Sequence, residues 1–173
     1  MDQSTNEILA LAISGSALLL NFANFLYTRS VSKRSKDNDL NRAEFDGLVR
    51  MPAETQLAEI EDCISSIKAA SLGPPDNVRR SQIEKIVKDR LHPIHYKLAN
   101  VLRRADHSST IRGSNWEEEG EDKFEGVFDA ADKVCSSLAD AERMNDGQDE
   151  LIEQLQSFCR HFRDRFSQEI RRH

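Results

Sequence analysis

The sequence predicts an all-α protein, with one N-terminal transmembrane helix followed by a cytoplasmic up-and-down bundle of about four helices. Three observations predict it. Residues 8–27 read ILALAISGSALLLNFANFLY, twenty positions without a charge. Beyond Asp37 every extended stretch places apolar residues at three- and four-residue steps, the period of an amphipathic helix. No segment sustains the period-two alternation of a strand. The chain has 173 residues, a formal charge of −6, only 7 Gly and 4 Pro, and three Cys. That composition excludes collagen-like, mucin-like and disulfide-scaffold classes, and its length accommodates one domain with an appendage.

At a 1.5 Å rise per residue, twenty residues span about 30 Å, the hydrocarbon thickness of a bilayer. A cleaved signal peptide needs a basic n-region, whereas residues 1–7 carry Asp2 and Glu7 and no cation. The cations follow the apolar stretch instead, as Arg29, Lys33, Arg34 and Lys36. By the positive-inside rule the N-terminus faces out of the membrane and everything after Thr28 is cytoplasmic. The organisation expected is therefore an extracytoplasmic 1–7, a span over 8–28, a basic juxtamembrane 29–36 touching lipid head groups, and a bundle over 37–173. Within the span, Ala10, Ser14, Ala17, Asn21, Asn24 and Thr28 recur at steps of four and three, which makes a seam of small and polar residues on one helix face. Such seams let helices approach closely and hydrogen-bond in lipid, so the seam predicts a homo-oligomer, with a wet lumen as one form of it. A plain anchor is the simpler alternative.

The first bundle helix runs from about Asp37 to Ala70 on Leu57, Ile60, Ile64 and Ile67, with Pro52 expected to divide it. Residues 72–77, LGPPDN, are the strongest break. The next helix carries Ile83, Ile86, Leu91, Ile94, Leu98 and Leu102, with Ser81 and Glu84 as a candidate capping box. A polar loop over 106–115 leads to a third helix, capped by Ser114 and Glu117, on Phe124, Val127, Ala131, Val134 and Leu138. A turn at 145–147, Asn-Asp-Gly, precedes a last helix on Leu151, Leu155, Phe158, Phe162, Phe166 and Ile170. Trp116 reads as a packing residue at a helix start, or as a membrane-interface or partner contact. The three cysteines (Cys63, Cys135, Cys159) fall on or beside apolar faces and read as reduced packing thiols.

Charge is segregated by helix. Residues 79–104 hold eight cations against Glu84 and Asp89, whereas 117–143 hold ten acids against three cations. Opposite charges on neighbouring helices pair; the alternative is that the basic face meets anionic lipid or RNA and the acidic face a partner protein. Only Tyr96 interleaves the basic residues, where RNA-reading modules offer several stacking platforms.

The chemistry on offer is sparse. Residues 90–95 read RLHPIH, an Arg-x-x-x-x-His spacing on a helix of an all-α domain. This resembles the signature of HEPN domains, with Leu91 where that family favours a polar residue and Pro93 inside the motif. The resemblance implies metal-independent RNA cleavage in a dimer cleft, His95 acting as general acid/base and Arg90 steadying phosphate charge. No cofactor is implied, and no metal-ligand spacing, glycine-rich phosphate loop or nucleophile elbow occurs. In its whole layout the chain is similar to small single-pass membrane proteins of bacterial defence loci. Among these is the membrane-anchored accessory family of type VI-B CRISPR systems, which joins a span to a degenerate HEPN-like bundle and assembles a pore. The function expected is thus a self-associating membrane effector or interaction protein, pore-forming or membrane-perturbing, triggered by a protein or ribonucleoprotein activator. A membrane-tethered ribonuclease and a non-enzymatic scaffold for a soluble partner are the alternatives.

Overall fold

The computed structural model describes the backbone of residues 3–107, 115–137 and 140–172, and side chains from Leu20 to Arg171 within those ranges. Its elements are α1 (Gln3–Phe45), a π turn (Asp46–Arg50), α2 (Met51–Ser71), α3 (Asn77–Ile86), a second π turn (Val87–Leu91), α4 (His92–His107), α5 (Trp116–Ser136) and α6 (Ala141–Arg172). No strand occurs among the described residues. The chain divides into two units, Met1–Asn41 and Arg42–His173.

In the first unit the described side chains from Leu20 to Leu40 are all exposed. Among the described residues no helix is long and apolar enough to cross a membrane. Residues 8–19, more than half of the expected span, lie outside the residues whose side chains are described.

The second unit is a four-rod bundle: the end of α1 with α2, α3 with α4, α5, and α6. Contacts fix each rod antiparallel to its neighbours. Glu59 faces Lys97 while Ser66 faces Arg90; Arg103 faces Glu117 while His95 faces Glu121. Lys133 meets Glu150 and Glu119 meets His161, and α6 closes on α2 through Leu57 to Cys159 and Glu54 to Arg163. This is the cyclic order of an up-and-down bundle. The core is one continuous cluster, with Leu57, Ile60, Ile67, Ile83, Leu91 and Ile94 against an aromatic group of Phe45, Trp116, Phe124, Phe158, Phe162 and Phe166. Trp116 is fully buried, stacked at 5.5 Å on Phe166, with the Arg165 guanidinium 4.6 Å from its ring centre; it is a packing residue.

Three local expectations need correction. Pro52 does not split its rod: the helix widens into the π turn just before it, where Met51 N–H reaches back to the Asp46 carbonyl. Pro93 does the same behind Val87–Leu91, where His92 N–H bonds the Val87 carbonyl. A proline has no N–H and crowds the carbonyl four residues back, and a wider turn relieves both without ending the helix. Second, α6 runs through 145–147 without a break: α5 ends at Ser136 and α6 begins at Ala141. Asp140 caps α6, its carboxylate accepting from Arg143 N–H at 3.1 Å. Gly147 is used for close approach: a Cβ there would lie 3.1 Å from the Val134 backbone nitrogen and 3.2 Å from its Cγ2. Third, the caps differ. Asp76 rather than Ser81 caps α3, accepting from the N–H groups of Val78 and Arg79. Asp106, at the end of α4, accepts from the N–H groups of Trp116 and Glu117 at 2.8 Å each and so caps α5 from across the connection. Ser114 lies outside the described residues.

Candidate functional site

Arg90 lies in the second π turn and His95 in the first turns of α4, so a change in helix geometry separates them. Arg90 Nη1 donates to Ser66 Oγ at 3.1 Å, and that hydroxyl donates its own proton to the Asp62 carbonyl at 2.9 Å. Arg90 thereby overlooks a groove of about 590 Å³ between α2 and α3, lined by Ser66, Ala69, Ala70, Gln82, Lys85, Ile86 and Asp89 as well. His95 turns the other way. Its Nε2 lies 3.1 Å from Glu121 Oε2, and since an ionised carboxylate only accepts, Nε2 is the donor. Its ring lies 4.5 Å from Phe124 and 5.3 Å from Phe128 between centres, and His92 stacks on Phe128 at 4.6 Å. A cavity of about 340 Å³ opens there, bordered also by Asp122, Glu125 and Asp129. Within one chain the structure therefore does not bring Arg90 and His95 to a common site; one faces α2 and the other α5.

Of the other expected residues, Arg29, Lys33, Arg34 and Lys36 are exposed on α1 and ion-pair with no carboxylate among the described residues. Asn21, Asn24 and Thr28 are exposed too and, at about 100° per residue, share an arc of about 60°. Ala10, Ser14 and Ala17 lie outside the residues whose side chains are described. No group of three His, Cys, Asp or Glu able to hold a metal ion occurs among the described residues. The three thiols are free, and burial pushes each above its ordinary range, Cys159 up to about 12.

Electrostatic detail concentrates between the rods. Arg163 donates to Glu54 at 3.2 Å and to Glu61 at 2.5 Å, and the latter bond holds the Glu61 carboxyl below its usual range. Glu119 accepts from both His161 and Arg165. Arg79, almost wholly buried, donates from Nε and Nη2 to Gln148 Oε1, while Gln148 Nε2 donates to the Ile67 carbonyl at 3.1 Å. These partners were beyond sequence reasoning. Ser66 is 24 residues from Arg90, Glu121 is 26 from His95, and Gln148 is 69 from Arg79, and nothing periodic links such positions. Comparison with family models, with curated proteins and with solved structures found no match to this chain.

Proposed function

We propose that the chain is a membrane-anchored, self-associating helical interaction protein, with 8–28 as its anchor and the Arg42–His173 bundle as its interaction body. One observation carries the reading. Leu20, Phe22, Phe25, Leu26 and Tyr27 are all exposed on α1, Leu20 at 66% and Tyr27 at 71%. At about 100° per residue they spread around most of the helix and leave only the Asn21, Asn24 and Thr28 arc polar. A helix apolar nearly all round belongs in a core or in lipid. Polar side chains in lipid seek a facing helix, which supports self-association. The exposed cations over 29–36 then suit the anionic inner leaflet.

Alkaline-carbonate extraction of membranes from cells expressing the chain tests the anchor. The expected result is wild type in the pellet and Ala17→Arg in the wash, since an arginine at the centre of a span costs about 2.5–3.5 kcal/mol. Wild type in the wash sinks the anchor. Light scattering in mild detergent tests the association: an oligomer that shrinks on Asn21→Leu with Asn24→Leu is expected, and a monomeric wild type refutes it.

A further inference from the structure

The groove that Arg90 overlooks has the chemistry of a binding site that the anchor and bundle leave unused. Its floor is apolar, from Ala69 and Ala70 on α2 and Ile86 on α3. Two alanines side by side leave room where larger residues would have closed the rods on each other. Its charges are Lys85, Arg90 and Asp89. No ion pair joins Lys85 or Arg90 to a carboxylate among the described residues, whereas neighbouring Lys88 is paired with Glu84 at 3.4 Å. Among the described residues, the one side chain that binds Arg90 is the neutral Ser66 hydroxyl. That hydroxyl has committed its proton to the Asp62 carbonyl, so it anchors Nη1 through a lone pair and fixes where the guanidinium points. A guanidinium has five N–H donors, and this bond uses one. The π turn matters here as well, since Arg90 sits in its C-terminal part and such single-turn widenings are often found at functional sites.

We infer that this groove binds a small amphiphilic carboxylate, a single negative charge carried on an apolar chain. The carboxylate sits between the free donors of Arg90 and the Lys85 ammonium, and the chain lies over Ala69, Ala70 and Ile86. Three features select that class. Two cations and one acid leave the lining one positive charge in surplus, which a monoanion neutralises. Arginine offers two parallel donors that match the two carboxylate oxygens. The apolar floor gives a charged head alone too little to hold, and the volume of about 590 Å³ is in the range of small-molecule sites, about 300–1,000 Å³. The inference does not depend on the membrane anchor, because every residue it uses lies in the bundle.

Octanoate carrying a photoreactive diazirine near its tail is the probe, applied to the full chain in nanodiscs of neutral lipid, with the labelled peptide mapped by mass spectrometry. Labelling is expected within 66–70 or 82–90, saturable and competed by unmodified octanoate but by neither octanol nor acetate. Arg90→Met should weaken competition about tenfold, the loss expected for a hydrogen bond to a charged group. Ala69→Phe, an exposed position that keeps both cations, should abolish the labelling by filling the floor, with circular dichroism confirming the bundle is intact. Equal competition by octanol shows that charge is not read, and equal competition by acetate shows that the floor is not; either result overturns the inference. So does labelling that maps elsewhere or survives both substitutions. If Arg90→Met fails to fold, Lys85→Met replaces it and should weaken competition in the same direction.

Discussion

Among single residues, the buried thiol of Cys159 makes the sharpest prediction. Its Sγ lies 3.9 Å from the Leu57 carbonyl, packed between α6 and α2, and burial lifts its titration from the ordinary 9.0 to about 12. Folded protein therefore keeps the proton when unfolded protein has lost it. The stability this confers is complete below pH 9.0, falls as pH rises, and is gone by about 12. The slope in that window is about 1.4 kcal/mol per pH unit for one proton. Urea denaturation of wild type and Cys159→Ala at pH 8 and pH 10.5 checks this: lysines and tyrosines titrate in both, so only the thiol distinguishes them. The variant should lose distinctly less stability than wild type between the two pH values; equal losses refute the assignment. The sequence already placed Cys159 beside an apolar stripe, and burial follows from periodicity alone. The Arg79 and Gln148 pair was hidden for the opposite reason. A buried guanidinium held by a neutral amide, with no carboxylate in the pair, answers to no pattern along the chain, because its logic is the geometry of three rods meeting.

At the scale of the element, helix existence was legible and helix interruption was not. Pro52 and Pro93 are breakers by rule, yet each sits two residues past a π turn that absorbs the missing N–H and the crowded carbonyl. The alternative available to a proline, a wider turn inside a packed rod, depends on neighbours that sequence does not show. The same holds for 145–147, where Asn-Asp-Gly reads as a turn but Gly147 lets α6 press against Val134. Gly126 offers the contrast. A Cβ there would meet only the Gln154 side chain, at 3.3 Å, and that amide swings aside. Gly126→Ala should therefore gain stability, up to about 1 kcal/mol from helix propensity. At Gly147 the nearest atom is backbone nitrogen at 3.1 Å, which moves only with the whole of α5. Gly147→Ala should cancel the propensity gain or reverse it. Paired thermal melts of the two variants check this, and a stabilised Gly147→Ala would show that α5 and α6 are less closely fitted than these distances imply.

For the whole molecule, the all-α reading rests on four apolar stripes, and among the described residues, which leave out Leu138, each stripe packs in or against the core. Charge segregation was visible too, but its consequence was only half legible. Arg103 with Glu117 and His95 with Glu121 link the basic and acidic helices, while other acids on both α2 and α5 answer to α6, through Arg163 and through His161 with Arg165. Which rods become neighbours is set by closure of the bundle, and net charge per helix does not report it. The candidate site divides likewise: residue types were found in sequence, but Arg90, within the π turn, and His95, in the α-helix that follows it, face different rods. The division of the chain at Asn41 has a consequence for stability. Among the described residues the core of the second unit runs from Phe45 to Phe166, so the bundle's stability should be its own. A fragment comprising 42–173 should unfold cooperatively, with a midpoint within about 4 °C of the full chain's bundle transition, equivalent to about 1 kcal/mol at this size. Circular dichroism of both proteins in the same detergent measures it. A fragment that is helical but melts without cooperativity would mean that residues 1–41 complete the core, and the two-unit organisation would have to be abandoned.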